Sequence, residues 1–148
     1  NFGEDLIFGP RDGGIYIWDA TNGLTTRAIA LTGTEVPTSQ KLILVSDINR
    51  FVFCFGCNEL ASATINPMLI RWSDQEDATN WLPAATNQSG DLILSNGTQI
   101  VAAKQSRQEV LVWTDAEFGV EGCGVDGLPP SGLVSCLKPL NGVEFCWI

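Results

Sequence analysis

A chain of 148 residues with 45% hydrophobic residues, 15 glycines and 7 prolines has the size of one ordinary domain and a globular composition, neither collagen-like nor disordered. Seventeen acids against eight bases give a formal charge of -9 at pH 7, a field that repels duplex DNA and anionic membrane surfaces. Histidine is absent, which removes the commonest general base and zinc nitrogen, so among enzymes only those working through carboxylates remain.

The chain opens at Asn1 with neither a methionine nor a basic–apolar leader, and it closes on the strand-like Val143–Ile148. Both ends read as cuts in a longer chain. Apolar alternation with period 2 dominates in between, and β-branched and aromatic residues fill the alternating runs. Asp5–Phe8 and Ile15–Trp18 flank Arg11-Asp12-Gly13-Gly14, a hairpin turn in which the two glycines are expected to supply positive φ. Leu42–Ser46 and Arg50–Phe55 form a second hairpin around Asp47-Ile48-Asn49, and Pro67–Trp72 is a third strand. Asp91–Leu94 and Gln99–Ala103 are expected to pair across Ser95-Asn96-Gly97, and Gln105–Gln108 turns the chain into Glu109–Trp113. Val134–Leu140 and Val143–Ile148 flank Asn141-Gly142, a strong two-residue hairpin signal, with Pro139 calling for an edge strand or a bulge. The chain reads as a single all-β region over 1–148.

Three strands end on a tryptophan followed closely by an aspartate: Trp18 with Asp19, Trp72 with Asp74, and Trp113 with Asp115. The tryptophans lie 54 and then 41 residues apart. The second spacing is that of one four-stranded propeller blade, and the first is a blade with an insertion at Cys57–Asn66. Stacked blades need a large apolar group between sheets, so Trp18, Trp72 and Trp113 are expected to be buried. Each aspartate is placed to accept backbone N–H bonds in the outer turn. The fold class is therefore an all-β, β-propeller-like array of antiparallel hairpins, a partial propeller of about three blade-like repeats plus a C-terminal hairpin. A β-sandwich is the alternative.

The longer strings that carry these repeats also resemble a known group. Asn1–Ile7 with Arg11–Asp19, then Asn66–Asp74 running into Gln75–Pro83 and Ala85-Thr86-Asn87, and then Arg107–Asp115, resemble the β-propeller region of tailed-phage structural proteins, the tail hub, nozzle or DNA-stabilisation components. The resemblance covers about Phe2 to Asp115. It implies a virion protein assembled in the host cytoplasm as a homo-oligomeric ring, sixfold for a nozzle, contacting other tail and portal–adaptor proteins. Genomic DNA would pass through without specific binding during ejection. It implies no enzymatic activity and no cofactor.

Cys54-Phe55-Gly56-Cys57 has the Cys-x-x-Cys spacing, and two of Cys123, Cys136 and Cys146 would be needed to complete a zinc site. Cys54 lies in the alternating run Phe51–Phe55, where a thiol packs as a small hydrophobe, so it is expected buried and unpaired, with Cys57 at a strand end. Ser73–Asp77 offers oxygens for calcium but lacks the glycine of an EF-hand loop. Asp74 and Asp77 are the candidate pair for a glycosidase. Asn87-Gln88-Ser89 and Asn96-Gly97-Thr98 are glycosylation sequons, compatible with the alternative of a secreted glycan-binding or sialidase-like propeller. No catalytic, cofactor-binding or metal-binding residue is assigned.

Overall fold

The computed structural model describes residues 1–46, 49–106, 109–115, 135–140 and 143–147. Asp47, Ile48, Arg107, Gln108, the segment 116–134 with Cys123, Asn141, Gly142 and Ile148 lie outside the described residues, and with them the turns expected at Asp47–Asn49, Gln105–Gln108 and Asn141-Gly142 in part or whole. Among those described, the regular structure is strand apart from one 3-10 turn at Ala20–Asn22, so the protein is all-β. The chain forms two compact units, 1–94 and 95–148.

Unit 1 holds two antiparallel sheets. In the first, β1 (Leu6–Phe8), β2 (Tyr16–Trp18) and β3 (Ile29–Ala30) follow in chain order, with Ile7 opposite Ile17 and Leu6 opposite Trp18. The turn between β1 and β2 differs from expectation. Asp12, at φ 62, takes the left-handed conformation there, and its N–H donates to Gln40 O at 2.7 Å. Aspartate tolerates that region better than most residues, so the glycines are free for another task. A Cβ on Gly13 would lie 2.8 Å from Pro10 Cγ, so the missing side chain provides room.

The second sheet is a four-stranded meander of β4 (Leu42–Ser46), β5 (Phe51–Phe55), β6 (Leu69–Trp72) and β7 (Gly90–Ile93). Both faces of β5 are buried along its whole length, which is why its sequence is a continuous apolar run. On one face Phe51, Phe53 and Phe55 form an aromatic ladder with centroids 5.9 and 6.5 Å apart. On the other face Val52, Cys54 and Leu69 join Ile7, Ile15, Leu31, Cys57, Ala78 and Trp81 in one hydrophobic core, with Ile17, Ile43 and Val45 packed against it. Each large side chain so buried contributes about 1.5–3 kcal/mol. The segment Cys57–Asn66 is an excursion between β5 and β6, closed by Asn66 N–H donating to Cys57 O at 3.0 Å.

The expected hairpin of Asp91–Leu94 with Gln99–Ala103 does not form. β7 pairs with β6, Leu69 facing Ile93 and Trp72 facing Gly90, whereas the next strand belongs to unit 2. Alternation marked both strands correctly but did not specify the partner, and β6 supplies four cross-strand pairs to β7.

Unit 2 contains β8 (Ile100–Gln105), β9 (Glu109–Thr114), β10 (Ser135–Leu140) and β11 (Val143–Trp147) in the order β10-β11-β9-β8. β8 pairs antiparallel with β9, and β10 with β11. The ladder between β9 and β11 is parallel, which departs from a purely antiparallel array. β10 is an edge strand whose register shifts between Leu137 and Leu140, the interval that holds Pro139. Proline cannot donate to a ladder, and an edge with a bulge is where the sheet accommodates it.

Candidate functional site: the tryptophan–aspartate strand ends

Each of the three sheets carries one tryptophan of the repeat, Trp18 at the end of β2, Trp72 at the end of β6 and Trp113 in β9. Their burial differs from expectation. Trp72 is buried, whereas Trp18 and Trp113 are only half-buried. The residues three positions earlier fill the interior instead: Ile15, Leu69 and Val110 are each about 2% exposed or less. The strand period of two explains this, because positions one and three before the tryptophan share the face opposite to it. The indoles keep a polar handle at the surface side. Trp18 Nε1 donates to Thr26 O at 3.0 Å, and Trp72 Nε1 donates to Gln88 O at 2.8 Å.

Asp19 and Asp74 accept amides of residues just after them, whereas the amides that Asp115 accepts lie just before β8. Asp19 Oδ1 accepts from Thr21 N at 2.8 Å and caps the 3-10 turn. Asp74 Oδ1 accepts from Gln75 N and Gln88 N, both at 2.8 Å. Asp115 accepts from Thr98 N at 2.7 Å, from Gln99 N at 2.9 Å and from the Thr98 hydroxyl. Hydrogen bonds to a charged carboxylate are the stronger kind, and they favour the ionised form. The Thr98 hydroxyl and then the Thr98 and Gln99 amides hold the Asp115 carboxyl down to about 2, and Thr21 lowers Asp19 in the same way.

Two features escaped the sequence reading. The tetrapeptide Asp-Ala-Thr-Asn occurs twice, at Asp19–Asn22 and at Asp77–Asn80. In both copies the aspartate Oδ1 accepts from the threonine amide at 2.8 Å and from its hydroxyl at 2.6 Å. A search for short exact repeats finds it, whereas hydrophobic periodicity does not. The second feature is Trp81, fully buried at the centre of the unit 1 core, with Nε1 donating to Ala78 O at 2.7 Å. Its neighbours Asn80, Leu82 and Pro83 carry no strand pattern, so nothing local marks it as core.

Asp74 and Asp77 form an isolated antiparallel bridge, and both carboxylates are engaged by backbone amides, Asp74 by Gln75 and the distant Gln88 and Asp77 by Thr79. Cys54 and Cys57 are both buried free thiols, as expected for Cys54. Burial pushes the Cys54 thiol well up, and it pushes Cys57 up to about 12 against the partial offset of Arg71. Thiols so raised are poor nucleophiles and poor metal ligands at neutral pH. Among the described residues no group of three or more Cys, Asp or Glu is placed to hold a metal ion.

Arg71 is the unexpected charge in this interior. It is 1% exposed on β6, with Nη1 donating to Asn58 O at 3.1 Å and Nη2 donating to Glu35 O at 2.6 Å. It thereby ties two loops to the sheet. Those loops border an open cavity of about 530 Å³ lined by Leu31, Thr32, Glu35, Val36, Asn58 and Ser62, among others. The polar groups of the cavity are occupied internally: Glu35 Oε2 accepts from Ala61 N at 2.8 Å, and the Asn58 side chain bonds to Thr38, Ser39, Glu59 and Ser62. No family model matches the chain, and neither a curated protein nor a solved structure matches it.

Proposed function

We propose that this chain is a structural component of a bacteriophage tail or neck machine, a hub- or nozzle-type protein that closes or lines the DNA channel. The observation that carries the reading is the recurrent use of acidic residues as turn clamps. Asp19, Asp74, Asp77 and Asp115 each direct a carboxylate at backbone amides of turns and loops, so they act as scaffold. The resemblance of the strings around them to tail-hub and nozzle proteins, and the charge of -9, point the same way. A wall of that sign repels duplex DNA and lets it slide.

Assembly into a homo-oligomeric ring with other tail and portal–adaptor proteins belongs to this proposal. The first sheet supports it: Leu6, Phe8 and Tyr16 are exposed on one face of β1 and β2, where Phe8 and Tyr16 stack at 5.8 Å beside Trp18. An apolar face of this kind is what a neighbouring sheet covers. The experiment is gel filtration with light scattering of the full chain at micromolar concentration, together with fluorescence anisotropy on duplex DNA at low salt. A ring of defined stoichiometry with no DNA binding is expected. A monomer at micromolar concentration, or tight salt-sensitive DNA binding, would overturn the proposal.

The finer architecture we propose is a propeller-like array, supported by the blade-length spacing and by the four-stranded meander of β4 to β7. One observation favours the sandwich instead. The faces of the first and second sheets that share the unit 1 core are both the faces opposite to the tryptophan, Ile15 and Ile17 from one and Leu69 from the other. Blades related by rotation about a common axis pack unlike faces together, whereas two sheets of a sandwich pack like faces.

A further inference from the structure

The sequence Asn-Gly occurs three times; Asn141-Gly142 lies outside the described residues, and the fold treats Asn22-Gly23 and Asn96-Gly97 differently. An asparagine side chain is attacked by the amide nitrogen of the next residue when that nitrogen is free and the backbone can bend, and glycine is the residue that permits the bend. At the first site the nucleophile is engaged: Gly23 N–H donates to Ala20 O at 3.2 Å. Asn22 is itself fastened, its N–H donating to Asp19 O at 3.2 Å and its carbonyl accepting from the Thr26 hydroxyl at 2.9 Å.

At the second site none of these fastenings is present among the described hydrogen bonds. Asn96 and Gly97 are exposed between β7 and β8, and Gly97 has φ 114, a conformation open essentially to glycine alone. The next residues are fixed, because Asp115 clamps the Thr98 and Gln99 amides. A free dipeptide therefore stands directly before an anchored strand start. We propose that Asn96-Gly97 is a site of spontaneous modification in the folded protein, where Asn96 converts to aspartate and isoaspartate, and that the fold protects Asn22-Gly23.

The reaction needs only solvent. Gly97 N loses its proton and attacks Asn96 Cγ; the new C–N bond closes a succinimide, and the Cγ–NH₂ bond breaks to release ammonia. Water then opens the ring at either carbonyl, giving aspartate or isoaspartate. Both products add one negative charge beside Asp115, and isoaspartate lengthens the main chain by one carbon immediately before the clamped Thr98.

The test incubates the full chain at mildly alkaline pH, folded and in urea, with aspartate and isoaspartate at each site measured by peptide mass spectrometry. One engaged hydrogen bond corresponds to roughly a tenfold difference in rate, so Asn96 is expected to convert roughly tenfold faster than Asn22 in the folded protein. The two rates are expected to converge in urea. Hydroxylamine, which cleaves the succinimide, is expected to cut folded protein after Asn96 in preference to Asn22, and Asn96→Gln is expected to abolish that cut. Equal rates in the folded protein, a faster Asn22, or a difference that persists in urea would each overturn the proposal, the last by assigning the preference to Ser95 and Thr21 as flanking residues.

Discussion

The indole of Trp72 lies across its cross-strand partner Gly90, so closely that a Cβ on Gly90 would sit 2.4 Å from Trp72 Cζ2 and 2.8 Å from Cε2. The same indole is fixed by its hydrogen bond to Gln88 O, two residues before Gly90. β7 thus holds Trp72 with one residue that bonds it and one that makes room for it. Gly90→Ala forces the ring to move away from that bond, and overpacking of this kind costs about 1–3 kcal/mol. Urea unfolding measures it. Gly14→Ala is the control, since its Cβ would meet nothing closer than Thr38 O at 3.6 Å, and it is expected to change stability by less than about 0.5 kcal/mol.

Gly33→Ala meets backbone instead of a movable ring. Its Cβ would fall 2.0 Å from Thr79 O, between two chain segments joined by Thr34 N–H to Thr79 O at 2.8 Å and Trp81 N–H to Thr34 O at 2.9 Å. Separating them loosens Trp81 in the core. The expected loss is about 3 kcal/mol, with a shift of Trp81 fluorescence toward that of solvent-exposed indole.

Asp115 gives a pH dependence with a defined sign. Its carboxyl is held near about 2, below its ordinary 3.8, by groups of the folded state, so its contribution to stability is present above pH 3.8. That contribution is lost as pH falls toward about 2. NMR titration of the Asp115 carboxyl is expected to give a midpoint below the ordinary aspartate value, and Asp115→Asn is expected to flatten the acid limb of the stability profile. An ordinary midpoint would refute the clamp on Thr98 and Gln99.

The buried thiols predict a chemical silence that unfolding lifts. Cys54 and Cys57 are raised by desolvation, so folded protein is expected to leave both unmodified by a thiol reagent at mildly alkaline pH, and both are expected to react in urea. Because the raised value favours the protonated form in the folded state, stability is expected to fall as pH rises above the ordinary 9.0 and on toward about 12. Rapid labelling of either cysteine in folded protein, located by peptide mapping, would refute their burial.

Arg71 holds carbonyls of Asn58 and Glu35 that lie on separate loops. Arg71→Ala leaves those acceptors without their donor in a buried setting and is expected to cost about 2–4 kcal/mol, with Arg71→Lys recovering only part because a single ammonium cannot reproduce the fork.

Local chemistry was legible in the sequence wherever a residue acts on its near neighbours. Strand positions followed from apolar alternation, Asp19 and Asp74 accept the amides of Thr21 and Gln75 as their short side chains allow, and the register shift around Pro139 follows from a missing N–H. Burial of Cys54 was readable because it sits inside a run with no polar face. What tertiary structure alone decided was pairing and sidedness. β7 joins β6 and leaves β8 to another sheet, β11 lies parallel to β9, and Trp81 enters the core from a segment without pattern. The alternation of a strand states which residues share a face, and it carries no information on which distant chain will cover that face. Burial of non-local surface makes that choice, and so the interior of unit 1 closed on Ile15 and Leu69 while Trp18 stayed half outside.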